Sequence, residues 1–165
     1  MSDVLPGQVM MFGPTLHSAK MEVLASLDAG IRCPCCDKFV KRYRRKFNSS
    51  MARSLIWLHK QTVTCGSGWV DVPLVAPRWL VRTNQLPSVR WWGLIERHPS
   101  TDEAKKHSGL WRPTEKGIYF ALKKIRVQST AVTYNGSIVG FEGDEISIED
   151  ALGTKFDYAQ IMGNI

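Results

Sequence analysis

Cysteine is scarce in this chain, with four residues in 165, too few for a disulfide scaffold. Three of them crowd into Cys33, Cys35 and Cys36, where a reducing compartment and metal chemistry make better sense than bridges. No run of about 18 apolar residues is present to cross a membrane. The first residues, Met1 to Gly7, lack a basic leader followed by an apolar stretch, so the expected location is the cytoplasm. Internal repeats and low-complexity tracts are missing. So are a glycine-rich phosphate loop, a dinucleotide fingerprint and paired carboxylates at helical spacing. Nothing near the cysteines completes a nucleophile, base and orienting group. The expectation is a protein that is not an enzyme. With 44% hydrophobic residues, the chain can bury one good core and a small additional lobe.

What is present is positive charge, unevenly spread. The net charge of +7 resolves into −2 from Met1 to Asp37, +14 from Lys38 to Arg126 and −5 from there to Ile165. Lys38 to Lys60 alone carries eight basic residues and no acid. A positive middle attracts phosphates at long range, whereas an evenly mixed surface would only be solvated. The pattern points to a nucleic-acid partner, double-stranded DNA first, gripped through Lys41, Arg42, Arg44, Arg45 and Lys46. Tyr43 and Phe47 interleave these charges. Core packing is the expected use of both, and stacking on unpaired bases is the other.

Apolar positions Leu16, Met21, Val23, Leu24 and Leu27 suit an amphipathic helix over Thr15 to Asp28, stopped at Ala29-Gly30. Phe39, Tyr43 and Phe47 recur every four residues, which fits a helix face or a strand. Asn48, Ser49 and Ser50 are good caps for a helix to about His59, with Met51, Leu55 and Leu58 toward a core. Gly66-Ser67-Gly68 breaks the chain before a short strand over Trp69 to Val72. Pro77 suits the first turn of a helix through Arg82, and Gln85 to Trp92 makes another, with Pro87 tolerated in its first turn. Asn135-Gly136 between the apolar runs Thr130 to Tyr134 and Ser137 to Phe141 is a strong hairpin signal. Ser147 with Asp150 three residues later resembles a capping box.

The most specific stretch is Trp92-Gly93-Leu94-Ile95-Glu96-Arg97, a polar segment from His98 to Ser108, and Gly109-Leu110-Trp111-Arg112-Pro113-Thr114-Glu115-Lys116-Gly117. Leu94 and Ile95 anchor one strand, Leu110 and Trp111 its partner, and Thr114 caps a helix carrying Ile118, Tyr119, Ala121 and Leu122. This stretch resembles the wing of MarR-type winged-helix regulators, and the resemblance covers roughly Ser49 to Lys124. It implies a recognition helix carrying Gln85, Ser88, Arg90 and Trp91 in the major groove, a wing tip at Lys105, Lys106 and His107, and flanking arginines Arg97 and Arg112. The whole chain is also similar to a group of small phage and bacterial proteins in which a Cys-Pro-x-Cys knuckle and a basic segment precede a Trp-Gly-Leu-Ile wing and a Tyr-Asn-Gly hairpin. That likeness implies a phage or prophage origin and names no activity.

Cys33 and Cys36 have the spacing by which one tight turn presents two thiolates to tetrahedral zinc. Two more ligands must come from elsewhere: Cys35, His59, Cys65, His98 or His107, with Cys65 and His59 preferred. A turn whose sulfurs pack as small apolar groups is the competing reading. The expected fold class is α+β: an N-terminal helix, zinc-knuckle-like turn and basic segment over 1–48, a winged helix-turn-helix core over 49–126, and an acidic C-terminal β-hairpin appendage over 127–165. The expected function is nucleic-acid binding, as in a phage-type transcriptional regulator. The alternative is a phage-type inhibitor or adaptor that binds a host protein through the wing and the acids Glu142, Asp144, Glu145, Glu149 and Asp150.

Overall fold

Thr15 opens the first helix, α1 (Leu16–Ala25), by accepting the Ser18 N–H on its side chain at 3.1 Å. The computed structural model describes residues 13–100, 102 and 108–163. Within them the chain is α+β and separates into two units, Met1–Tyr43 with Thr133–Ser137, and Arg44–Val132 with Ile138–Ile165.

In the smaller unit, α1 ends three residues before the expected Asp28. Its buried stripe is Ala19 and Val23, continued by Leu27, while Leu16, Met21 and Leu24 are exposed. Spacing of four selects the small residues for burial and turns the larger apolar ones outward. A two-stranded antiparallel hairpin follows, β1 (Ile31–Arg32) and β2 (Phe39–Val40), pairing Ile31 with Val40 and Arg32 with Phe39. Gly30 precedes it at φ 88°, and the Phe39 ring occupies the space a Cβ would need. The helix-or-strand choice over Phe39, Tyr43 and Phe47 resolves as strand, with β3 covering Tyr43–Lys46.

The larger unit is organised by α2 (Ser49–Cys65). Asn48 caps it by accepting the Met51 N–H at 3.0 Å, and Gly66 at φ 65° ends it. The helix runs one and a half turns past His59 because nothing between Lys60 and Cys65 breaks it, and Thr62 and Thr64 bond back to the Leu58 and Lys60 carbonyls. Met51, Ala52, Leu55, Ile56 and Leu58 are buried along it. Strand β4 is only Val70–Asp71, and the chain then turns through three short helices, α3 (Val72–Val75), α4 (Arg78–Thr83) and α5 (Leu86–Val89). A 3-10 turn over Arg90–Trp92 leads into β5 (Ile95–Arg97). Strand β6 (Leu110–Pro113) lies between β4 and β5 and is antiparallel to both, with Val70 opposite Trp111, Glu96 opposite Arg112 and Arg97 opposite Trp111.

Thr114 caps α6 (Glu115–Ala121) through the Gly117 N–H at 3.1 Å. A second three-stranded sheet has the order β3-β7-β8, with β7 at Val127–Tyr134 and β8 at Ser137–Ile146. Asn135 and Gly136 join the last two at φ 48° and 73°, the paired left-handed conformation of a tight hairpin. The capping box at Ser147 and Asp150 starts α7 (Ile148–Leu152), and α8 (Tyr158–Met162) ends the described chain. The segment 127–163, which carries the acidic charge, contributes to the core of the larger unit. Val127, Ala131, Ile148 and Leu152 belong to the same buried cluster as α2, and Tyr158 donates its hydroxyl to the Ala121 carbonyl at 2.7 Å. Charge described the outer face of this segment, whereas its apolar positions decide where it packs. No helix among the described residues is long and apolar enough to cross a membrane.

Gly117 lies on the inner face of α6, where any Cβ would run into the Leu94 carbonyl. Gly117→Ala is expected to cost about 1–3 kcal/mol through this forced displacement, seen as a lower urea midpoint. An unchanged midpoint would show that α6 moves off Leu94 without cost.

Candidate nucleic-acid interface and cysteine turn

In the short segment from Leu86 to Trp92, the buried positions are Leu86, Val89 and Trp92. Spacing of three, imposed by the 3-10 turn, leaves Arg90 exposed and Ser88 and Trp91 half-buried. Trp92 meets the Phe47 ring edge-on at 4.9 Å, and its Nε1–H donates to the Gln128 carbonyl at 2.7 Å. Gly93 reverses the chain at φ 68°. The reversal is then clasped from α6: the Thr114 hydroxyl donates to the Gly93 carbonyl at 2.7 Å, Lys116 Nζ donates to the Trp92 carbonyl at 3.0 Å, and the Thr114 N–H donates to the Leu94 carbonyl at 3.0 Å. The Thr-Glu-Lys-Gly run thus fixes the exit of the Arg90 turn as well as starting a helix.

Two guanidinium groups here lie over tryptophan rings. Arg90 stacks over the Trp91 ring at 4.5 Å and Arg97 over the Trp111 ring at 4.2 Å. Burial, and then the positive charge of Arg90, lower the pKa of Arg97 from its ordinary value. Arg97 Nε is buried without a hydrogen-bond acceptor among the described residues. It borders an apolar cleft of about 310 Å³ lined by Val72, Leu80, Leu86, Pro87 and Trp111.

The other expected phosphate ligands differ in how free they are. Arg112 is held by Glu96 at 2.6 Å and lies over Trp69 at 4.3 Å. The Gln85 amide receives a bond from Asn48 at 3.3 Å and donates to the Thr83 carbonyl at 3.1 Å, so it braces the start of α2. Lys105, Lys106 and His107 lie outside the described residues. In the basic segment, Arg42 pairs with Asp28 at 3.3 Å and Arg44 with Glu142 at 2.8 Å. Lys41 is half-buried, while Arg45 and Lys46 are exposed on β3. Phe47 is core, edge-on to Trp92 and to Phe120 at 5.4 Å, whereas Tyr43 is exposed.

One cation escaped the sequence reading as a site residue. Arg53 of α2 stacks on Trp79 at 3.9 Å and Phe156 at 4.9 Å, beside a cavity of about 460 Å³ that Trp57 and Lys60 also line. Its aromatic partners are remote in the chain, and no local motif announces them.

In the smaller unit, the Cys33–Lys38 turn joins β1 to β2. The Cys33 N–H donates to the Lys38 carbonyl at 2.8 Å and the Asp37 N–H to the Cys33 carbonyl at 2.9 Å. The backbone of Cys35, then that of Cys36, lowers the pKa of the Cys33 thiol from its ordinary value. Desolvation, then the Cys33 charge, push the Cys35 thiol up. His59 and Cys65, the preferred completing ligands, do not share a face of α2. Six residues separate them by about 120° around the helix and about 9 Å along it, and His59 is buried while Cys65 is exposed. Among the described residues, no three of His, Cys, Asp and Glu are gathered for a metal ion.

Compared with known families, curated proteins and solved structures, the chain matches none.

His59 is held neutral by burial, which lowers its pKa from 6.5. As pH falls through 6.5 the unfolded chain takes up the proton first. Stability that is fully present above that pH is therefore lost progressively toward the lower folded-state value. His59→Leu is expected to flatten the dependence of the urea midpoint on pH between about 7 and about 5. An equally steep profile in the variant would assign the acid sensitivity to other groups.

Proposed function

We propose that this chain binds nucleic acid, duplex DNA by preference, through a winged-helix arrangement in its larger unit. The observation that carries the reading is the Arg90–Arg97 pair. Both guanidinium groups lie on tryptophan faces, neither has a carboxylate partner among the described residues, and Arg97 Nε is buried without an acceptor there. An anion would satisfy that buried donor, and a phosphate fits the planar donors of arginine.

The order of elements supports the winged-helix reading. Helix α2, strand β4, helices α4 and α5 and the β5–β6 hairpin follow in sequence, with β6 central in the sheet. In that arrangement the Arg90 turn ends the recognition segment, and the hairpin is the wing. Arg45 and Lys46 add exposed charge on β3. Gln85 is committed to Asn48 and Thr83, so its amide does not read bases. Contacts are then mainly to the backbone, which gives affinity without strong sequence preference.

A protein-binding role draws support from a different place. Leu74 and Val81, 80% and 65% exposed, come from α3 and α4, the elements that also line the apolar cleft. The acidic end, by contrast, is occupied internally, with Glu142, Glu149 and Asp150 paired to Arg44, Lys123 and Arg126.

Replacing Arg90 and Arg97 together by methionine is expected to weaken binding to a random-sequence duplex at least about tenfold and to reduce the salt slope by about two. Arg112→Met should change both far less, because Glu96 already neutralises that side chain. Duplex titrations across a salt series read both quantities. Equal effects at all three arginines would place the contact on the strand hairpin as a whole, and no effect would reject the pair as a phosphate site.

A further inference from the structure

The outer face of α2 carries Arg53, Trp57, Lys60 and Gln61, spaced so that successive turns place a cation, an indole, a second cation and an amide in one stripe. All four line a cavity of about 460 Å³ whose other walls include Trp79 of α4 and, nearer the C-terminus, Phe156 and Gln160. That volume is within the range of small-molecule sites, about 300–1,000 Å³. The Arg53 guanidinium lies against two rings, 3.9 Å from the Trp79 centroid and 4.9 Å from that of Phe156. These rings restrain it, while its N–H donors reach solvent and have no acceptor among the described residues. Lys60 Nζ donates to the Ile161 and Gly163 carbonyls at 2.9 and 3.4 Å, which fixes the ammonium without neutralising its charge. No residue lining the cavity is acidic.

Aromatic walls with two cations and no acid suit a ligand that is itself a flat ring joined to an anion. We infer that this cavity receives one unpaired nucleotide of a single strand, with the base against Trp57 and the phosphate on Arg53. Trp79 and Phe156 hold Arg53, and Trp57, half-buried one helical turn along α2, supplies the ring for the base. The guanidinium fork fits a phosphate. The amides of Gln61 and Gln160 each donate and accept, so they meet the polar edge of any base and give little sequence preference. Arg78 and Lys155, next in the chain to Trp79 and Phe156, are exposed and add charge for neighbouring phosphates, which favours a strand over a free nucleotide. The site shares no residue with the Arg90–Arg97 pair and goes beyond the duplex contact proposed there.

The test titrates the full chain with a short oligothymidylate strand and with an abasic strand of the same length, which has the same phosphates and no bases. Stacking of one base is expected to make the oligothymidylate bind at least about fivefold tighter. Trp57→Leu should remove that preference with an unchanged far-ultraviolet circular dichroism spectrum, and Trp57→Phe, which keeps a ring, should retain part of it. Arg53→Met should weaken binding of both strands, because the phosphate contact is common to them. Replacing Arg90 and Arg97 together by methionine should leave the ratio between the strands in place, so failure of this site and failure of the duplex reading are distinguishable. No binding of either strand, equal affinities for the two, or a preference that survives Trp57→Leu would each overturn the inference. So would loss of the preference in the Arg90 and Arg97 variant, which would move the stacking to the ring of Trp91.

Discussion

The indole of Trp92 is buried where three parts of the larger unit meet. Its ring takes the edge of Phe47, which enters from β3, and its N–H reaches the Gln128 carbonyl of β7. Its own carbonyl is taken by Lys116 of α6. A buried indole contributes a large apolar area, and its single donor costs about 1–3 kcal/mol if left unpaired. Both demands are met only if the turn from Arg90 to Gly93 holds one conformation. That conformation leaves Arg90 exposed and Trp91 half-buried. The placement of Arg90 is therefore a by-product of how the core is satisfied.

Local chemistry was legible wherever it decides structure within a few residues. The caps at Asn48, Thr114 and Ser147, the Asn135-Gly136 turn and the strand pair around Leu94 and Trp111 all follow from nearest-neighbour rules, and each stands where the sequence puts it. What could not be read locally is which of two apolar faces a helix buries. In α1 the larger residues Leu16, Met21 and Leu24 look outward, because the space available beside that helix accepts Ala19 and Val23. At the C-terminal end acidic residues alternate with an apolar set, Val127, Ala131, Ile148 and Leu152, that joins the α2 core.

The candidate site was legible in its membership and not in its state. Sequence identifies arginines, but only geometry shows that Arg112 and Arg44 already hold carboxylates while Arg90 and Arg97 lie over tryptophan rings. Gln85 shows the same limit, since its partners Asn48 and Thr83 become visible only once the chain is folded. The cysteine turn behaves differently. Its two-residue spacing and its hairpin are both local, so the turn itself follows from neighbouring residues.

The ion pairs between the basic middle and the acidic end give the protein an internal counter-ion. Glu142, Glu149 and Asp150 sit on Arg44, Lys123 and Arg126, so a share of the formal positive charge is offset internally. A polyanion that approaches those arginines and lysines must exchange with carboxylates tethered at high local concentration, much as it exchanges with mobile salt. Such pairing weakens the long-range field of the basic surface, most at low ionic strength where salt screens least. What field remains is set by the charges outside these pairs.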